Sequence, residues 1–191
     1  HSRLGKTALW AAAQDTRLAA AVAHQSGSTG AALARGKTGE RIAQITASFP
    51  HWFTPAYAQW ANREEEMPHD AHFLIAAIAP RLAYVASAAD DAWADPVSEF
   101  LGGLAASPAW QDHGRRGVHG PDRMPLPGER LHEGHIGYHL RTGAHFHSRD
   151  DWKAALDFLD RRFRDAQPAT GAGPVEERTT SSGSNNSSLS A

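Results

Sequence analysis

Apolar positions along the chain change period several times, and each change marks a new element. Leu4, Ala8, Leu9, Ala11 and Ala12 recur at helical spacing, so residues 3–14 are read as a helix opening directly after Ser2, with Gly5 as a close-packing point. Arg17 to His24 (RLAAAVAH) is a short apolar run that suits a buried strand and ends at the polar stretch Gln25-Ser26-Gly27-Ser28-Thr29-Gly30. Glu40 to Ser48 carries Ile42 and Ile45 on a short helix, which the aromatic group Phe49-Pro50-His51-Trp52-Phe53 breaks as a structured loop. Residues 69–79 (HDAHFLIAAIA) form a helix stopped by Pro80, and Leu82 to Ala86 (LAYVA) is a strand of the fully buried type. After the loop Ser87 to Pro96 comes a helix over Val97 to Ala106, then a Gly/Pro/Arg-rich irregular stretch from about Ser107 to Gly134. Ile136 to Leu140 is the last short strand, followed by a loop holding Gly143 and His145 and an amphipathic helix from about Ser148 to Phe163.

Helices and strands alternate throughout, which predicts an α/β architecture: a mainly parallel sheet with crossover helices on both faces. Three strands make a thin sheet, and near-continuous apolar strands need neighbours on both edges. The remaining strands are therefore expected from sequence ahead of His1, with 1–165 forming the C-terminal part of a larger domain. Residues 166–191, which include the run from Gln167 to Ala191, are rich in Ser, Thr, Gly and Asn with almost nothing apolar to bury. They are expected to be a disordered tail or linker.

A formal net charge of −2 leaves no basic footprint, so no nucleic-acid partner is expected. No apolar run reaches the roughly 18 residues a membrane span needs. The chain has no cysteine, which removes disulfides and thiol chemistry. Histidines are plentiful, and His132, His135 and His139 have a spacing at which zinc is conceivable. They straddle a glycine-containing loop and a strand rather than one helix face, so neither a metal nor a cofactor is expected.

Candidate chemistry starts at Ser2. A serine on a tight turn into a helix is exposed and close to helix N-terminal amides, which favour developing negative charge. The plainer role is a helix cap, and the second glycine of a G-x-S-x-G elbow is absent. Asp90 and Asp91 follow the LAYVA strand and His145 follows the last strand, so serine, acid and histidine occur in the chain order of an α/β-hydrolase. Each residue has an ordinary alternative: a solvated histidine, a turn-solubilising aspartate, a capping serine. The order and the placement after strands are what join them.

The segments HSRLGKTALWAAA, HQSGSTGAAL, GERIAQITASFPHWF, HDAHFLIAAIAPR, YVASAADDAWADP and GYHLRTGAHFHSRDDW together resemble the glucuronoyl esterases, the fifteenth carbohydrate esterase family, over residues 1–163. The resemblance implies an α/β-hydrolase, a three-layer sandwich of which this chain carries the half beginning at the nucleophile elbow. It implies cleavage of (4-O-methyl-)glucuronoyl esters between glucuronoxylan and lignin alcohols, with Ser2 as nucleophile, His145 as base and Arg3 in the oxyanion hole. Lys6 falls on a lysine that binds sugar hydroxyls, and Glu40 and Trp93 fall on uronate-binding positions. Many members carry the triad acid where this chain has Gln25, which cannot hold a charge. Members that place the acid on the later loop point to Asp91, with Asp90 as the alternative. The absence of a cysteine before the serine resembles the bacterial members. A secreted or periplasmic enzyme acting on glucuronoxylan or a lignin–carbohydrate ester follows by the same resemblance; the oligomeric state is left open by the sequence, with a monomer expected. Two other readings are an acetyl-xylan or other carbohydrate esterase, in which Lys6, Glu40 and Trp93 would have no uronate to hold, and a catalytically weak glycan-binding scaffold, which Gln25 keeps open.

Overall fold

The computed structural model describes residues 1–165, so the tail expected over 166–191 lies outside the described residues. The elements are α1 (Arg3–Gln14), β1 (Ala20–His24), α2 (Ile42–Ser48), α3 (Pro55–Ala58), α4 (Ala71–Ala76), β2 (Leu82–Ala88), α5 (Pro96–Gln111), β3 (Arg130–Leu131), β4 (Ile136–Arg141) and α6 (Arg149–Asp165). Single 3₁₀ turns at Pro50–Trp52 and Glu64–Glu66 interrupt the connection from α2 to α4.

The strands run in the order β1-β2-β4-β3. β1 and β4 flank β2 in parallel, from Ala20 opposite Leu82 to His24 opposite Ala86, and from Ala83 opposite Ile136 to Ala88 opposite Arg141. One face of the sheet packs Ala21, Ala23, Val85 and Tyr138 against Leu9 and Ala12 of α1, Ile75 of α4 and Phe100 and Trp110 of α5. The other face packs Leu82, Tyr84 and Ala86 against Ala154, Ala155 and Phe158 of α6. Helices on both sides of a mostly parallel sheet are the three layers of the expected α/β sandwich. The alanine-rich strands keep helix and sheet close: a Cβ added at Gly5 would stand 3.0 Å from the Ser26 Cβ. Emptying a fully buried position such as Leu9 to alanine would cost about 2–5 kcal/mol.

Several boundaries differ from the sequence reading. The first strand begins at Ala20 rather than Arg17, because the Asp15 carboxylate accepts the Arg17 backbone N–H at 3.0 Å and closes a turn there. The helix expected over 69–79 is α-helical only from Ala71 to Ala76, with Asp70 capping it. α5 continues to Gln111 through Pro108 instead of ending at Ala106. The added turn carries the fully buried Trp110, whose indole N–H donates to the Arg81 carbonyl at 2.8 Å. A fourth strand, β3, lies inside the stretch read as irregular and pairs antiparallel with β4, Arg130 opposite His139, which makes the sheet mixed. His132 and His139 are used within the fold, both sharing the Tyr84 hydroxyl, at 3.0 and 2.8 Å; His139 also bonds Asp151 at 3.0 Å.

Candidate active site

All three parallel strands end on the same side, and the loops leaving those ends meet over the start of α1. Ser2 occupies the tightest point. Its φ of 54° and ψ of −129° lie outside the regions ordinary residues adopt, so the turn holds backbone strain. Its amide donates to the His24 carbonyl at 2.9 Å, tying the turn to the end of β1. The hydroxyl makes no cap bond to α1, so the plain capping role left open by the sequence is not the one it takes.

After β2 the two aspartates separate. Asp90 points to solvent, whereas Asp91 is 4% exposed and accepts from His145 Nδ1 at 2.6 Å. Its other oxygen accepts the Ala94 amide at 3.2 Å, so the carboxylate is held from two sides. With Nδ1–H donating to an acceptor-only carboxylate, His145 has Nε2 left as an acceptor. The imidazole side chain is 43% exposed, and the His1 ring lies against it with centroids 4.7 Å apart.

Ser2, Arg3, Lys6, Gln25, Glu40, Asp91, Trp93 and His145 line one cavity of about 360 Å³, together with Ile45, Phe49 and Trp52 from the α2 segment. Every site residue expected from the sequence except Asp90 is in that lining. Arg3 lies over the Trp52 ring at 5.8 Å, and Trp52 stacks on Phe49 at 4.0 Å, so the aromatic group after α2 walls the cavity beside the guanidinium. Glu40 and Trp93 are linked through the backbone, the Glu40 N–H donating to the Trp93 carbonyl at 2.9 Å. Only glycine fits next to that link: a Cβ at Gly39 would fall 2.3 Å from the Trp93 carbonyl oxygen. Trp93 is 57% exposed, so it is no buried anchor.

Gln25 sits at a φ of 46° and points its carbonyl oxygen to His1 Nε2 at 3.1 Å. It makes no bond to His145. Lys6 is more constrained than a helix-surface lysine. Its ammonium donates to the Ser26 carbonyl and, at 2.7 Å, to the Ser28 carbonyl. Burial pulls its pKa down to about 8, against the opposing charges of Glu40 and Glu99.

Sequence reasoning missed the support beneath this surface. Glu99 on α5 is fully buried and accepts the Gly27 amide at 2.9 Å and the Ser87 hydroxyl at 2.7 Å. Lys37 is buried and donates to the Ala94 carbonyl at 2.7 Å. The signal for this layer was Asp95-Pro96-Val97-Ser98-Glu99: Asp95 caps α5 by accepting the Ser98 amide, which puts Glu99 one turn in, under the loop after β1.

The family profile described as "Glucuronyl esterase, fungi" matches residues 1–114. A carbohydrate esterase from an unknown prokaryotic organism is 44% identical over 163 residues, 85% of this chain and 37% of that protein. Among solved structures, a promiscuous CE15 esterase from the marine bacterial metagenome has a TM-score of 0.81 at 43% identity, covering 84% of this chain and 40% of that one. A glucuronoyl esterase from Solibacter usitatus has a TM-score of 0.79 at 44% identity, covering 85% and 41%. The chain thus spans about two fifths of the length of these relatives. The profile match takes in more than half of the chain and every residue lining the cavity except His145. The chain belongs to the glucuronoyl esterase family.

Proposed function

We propose that this chain carries the catalytic residues of a serine carboxylic-ester hydrolase that cleaves (4-O-methyl-)glucuronoyl esters joining glucuronoxylan to lignin alcohols. The observation that carries the reading is the buried Asp91 bonded to His145 Nδ1 in the same cavity as the strained Ser2. In this mechanism the Ser2 oxygen attacks the uronate ester carbonyl while His145 Nε2 takes its proton. Asp91 holds the imidazole in that tautomer and stabilises the imidazolium that forms. The tetrahedral oxyanion develops next to the Arg3 guanidinium, a fixed positive charge. His145 returns the proton to the departing alkoxide, and the alcohol leaves a uronoyl ester on Ser2. Water, deprotonated by the same histidine, then releases the uronic acid and restores Ser2.

Lys6, Glu40 and Trp93 supply what a sugar acid needs on the acyl side: donors and acceptors for hydroxyls and an exposed aromatic face. An acetyl group would use none of them. A polymeric cell-wall substrate also requires a protein outside the cytoplasm, so the enzyme works as a secreted or periplasmic protein. No helix among the described residues is long and apolar enough to cross a membrane. Comparing kcat/KM on methyl glucuronate and on an acetylated xyloside tests the reading: the uronate ester is expected to be favoured at least about tenfold, the factor that one such binding contact provides. Equal or faster acetate release would overturn it in favour of an acetyl-xylan esterase.

A further inference from the structure

Glu99 takes no part in the steps above, yet it is the carboxylate on which the cleft rests. It lies at 0% exposure on α5 and accepts the Gly27 amide at 2.9 Å, the Ser26 hydroxyl at 3.3 Å and the Ser87 hydroxyl at 2.7 Å. All three donors are neutral. The two Glu99 oxygens divide the work, Oε1 accepting from Gly27 and Ser26 and Oε2 from Ser87; a glutamine has a single acceptor oxygen, so it cannot keep all three bonds and also removes the charge near Lys6. Gly27 turns at a φ of 57°, and on either side of it the Ser26 and Ser28 carbonyls both accept the Lys6 ammonium. Glu99 therefore fixes from below the turn whose carbonyls hold Lys6 from above.

The charged and titratable groups facing Glu99 are Lys6 from α1, Lys37 from the segment before α2, Asp91 from the loop after β2 and Tyr138 from β4. Burial lifts Glu99 to about 7, and its charge is one of two that oppose the loss of the Lys6 proton, Glu40 being the other.

We propose that Glu99 is a positioning residue for substrate binding, locking the Ser26–Ser28 turn so that Lys6 is aimed into the cleft at the hydroxyls of the uronate. The inference rests on the reading of Lys6 as a sugar-binding residue. The test is a double-mutant cycle in the full-length protein with methyl glucuronate as substrate: Lys6→Ala, Glu99→Gln and the pair. Lys6→Ala should raise KM. Glu99→Gln should raise KM roughly threefold to tenfold with kcat within about twofold of wild type, and should add less than about twofold when Lys6 is already alanine. A residue that merely stabilised the fold would act equally in both backgrounds, and that result overturns the proposal. So does a wild-type KM for Glu99→Gln when Lys6→Ala raises KM. An unchanged KM in Lys6→Ala overturns the Lys6 assignment and the proposal together. If Glu99→Gln does not fold, Ser87→Ala removes one Glu99 partner without touching the turn. It should raise KM in the same direction only while Lys6 is present, and a wild-type KM for it overturns the proposal.

Discussion

His145 Nδ1 lies 2.6 Å from Asp91 Oδ2, and of these two groups only the imidazole reaches solvent to any extent. Asp90, one residue earlier, is exposed and spends its amide on the Gly143 carbonyl at 3.0 Å. Asp91→Asn should therefore lower kcat on benzyl glucuronate by about a thousandfold or more, the scale on which an acid that sets the imidazole tautomer matters. Asp90→Asn should stay within about threefold. Steady-state kinetics on the two variants checks the assignment, and the opposite ranking would move the acid to Asp90.

The pH dependence of binding should report Lys6. Its pKa is lowered to about 8, so the ammonium is present below that pH and is lost as pH rises through it. KM for a uronate ester should accordingly climb above about pH 8 with little change in kcat, and Lys6→Ala should flatten that limb. A KM flat from neutral pH to about 10 would count against a charged Lys6 at the sugar.

Trp93 offers a separation of binding from stability. With more than half of its surface in solvent, its removal leaves little packing behind, so Trp93→Ala should shift unfolding free energy by no more than about 0.5 kcal/mol. KM for the uronate ester should nevertheless rise about tenfold, the loss of one aromatic face against a sugar ring. Denaturant titration alongside kinetics reads both. A large stability loss would mean that Trp93 serves packing after all.

Ser2 should show a cost in the opposite direction. Its positive φ is easy for glycine and strained for serine, so Ser2→Gly should stabilise the fold by about 1 kcal/mol while removing the proposed nucleophile. Urea denaturation of the inactive variant measures this. A destabilised Ser2→Gly would show that the turn holds no such strain.

Glu99 adds a stability term of defined sign. Its pKa is raised from 4.5 to about 7, so the folded protein holds this proton more tightly than the unfolded chain. That contribution is fully present below about pH 4.5 and is lost as pH rises toward about 7. Thermal unfolding of Glu99→Gln should therefore decline less across this window than wild type. Parallel curves for the two proteins would contradict a raised Glu99.

What was legible in the sequence is local. The helix directly after Ser2 and the LAYVA strand are written in the spacing of adjacent apolar residues, and the order of Ser2, Asp91 and His145 follows from strand ends that such spacing locates. What was not legible depends on contacts across the chain. β3 is two residues long and exists only because β4 offers an edge, so nothing within Arg130-Leu131 announces it. α5 runs past Pro108 because Trp110 has a buried place to fill, a fact set by Arg81 some 29 positions earlier. Glu99 is buried only because the loop after β1 lies over it, a contact across 72 positions of the chain. That Asp91 and not Asp90 meets the His145 imidazole likewise depends on the direction each side chain takes at the end of β2.

The proposed reaction requires Ser2 to form the uronoyl ester. Ser2→Ala in the full-length protein, assayed on benzyl glucuronate beside the wild type and a circular-dichroism check of folding, is the most direct measurement. The expected result is a folded protein whose kcat is lower by about 10⁴-fold or more. Activity within about tenfold of wild type would contradict it, because loss of the nucleophile in such a triad costs far more than that.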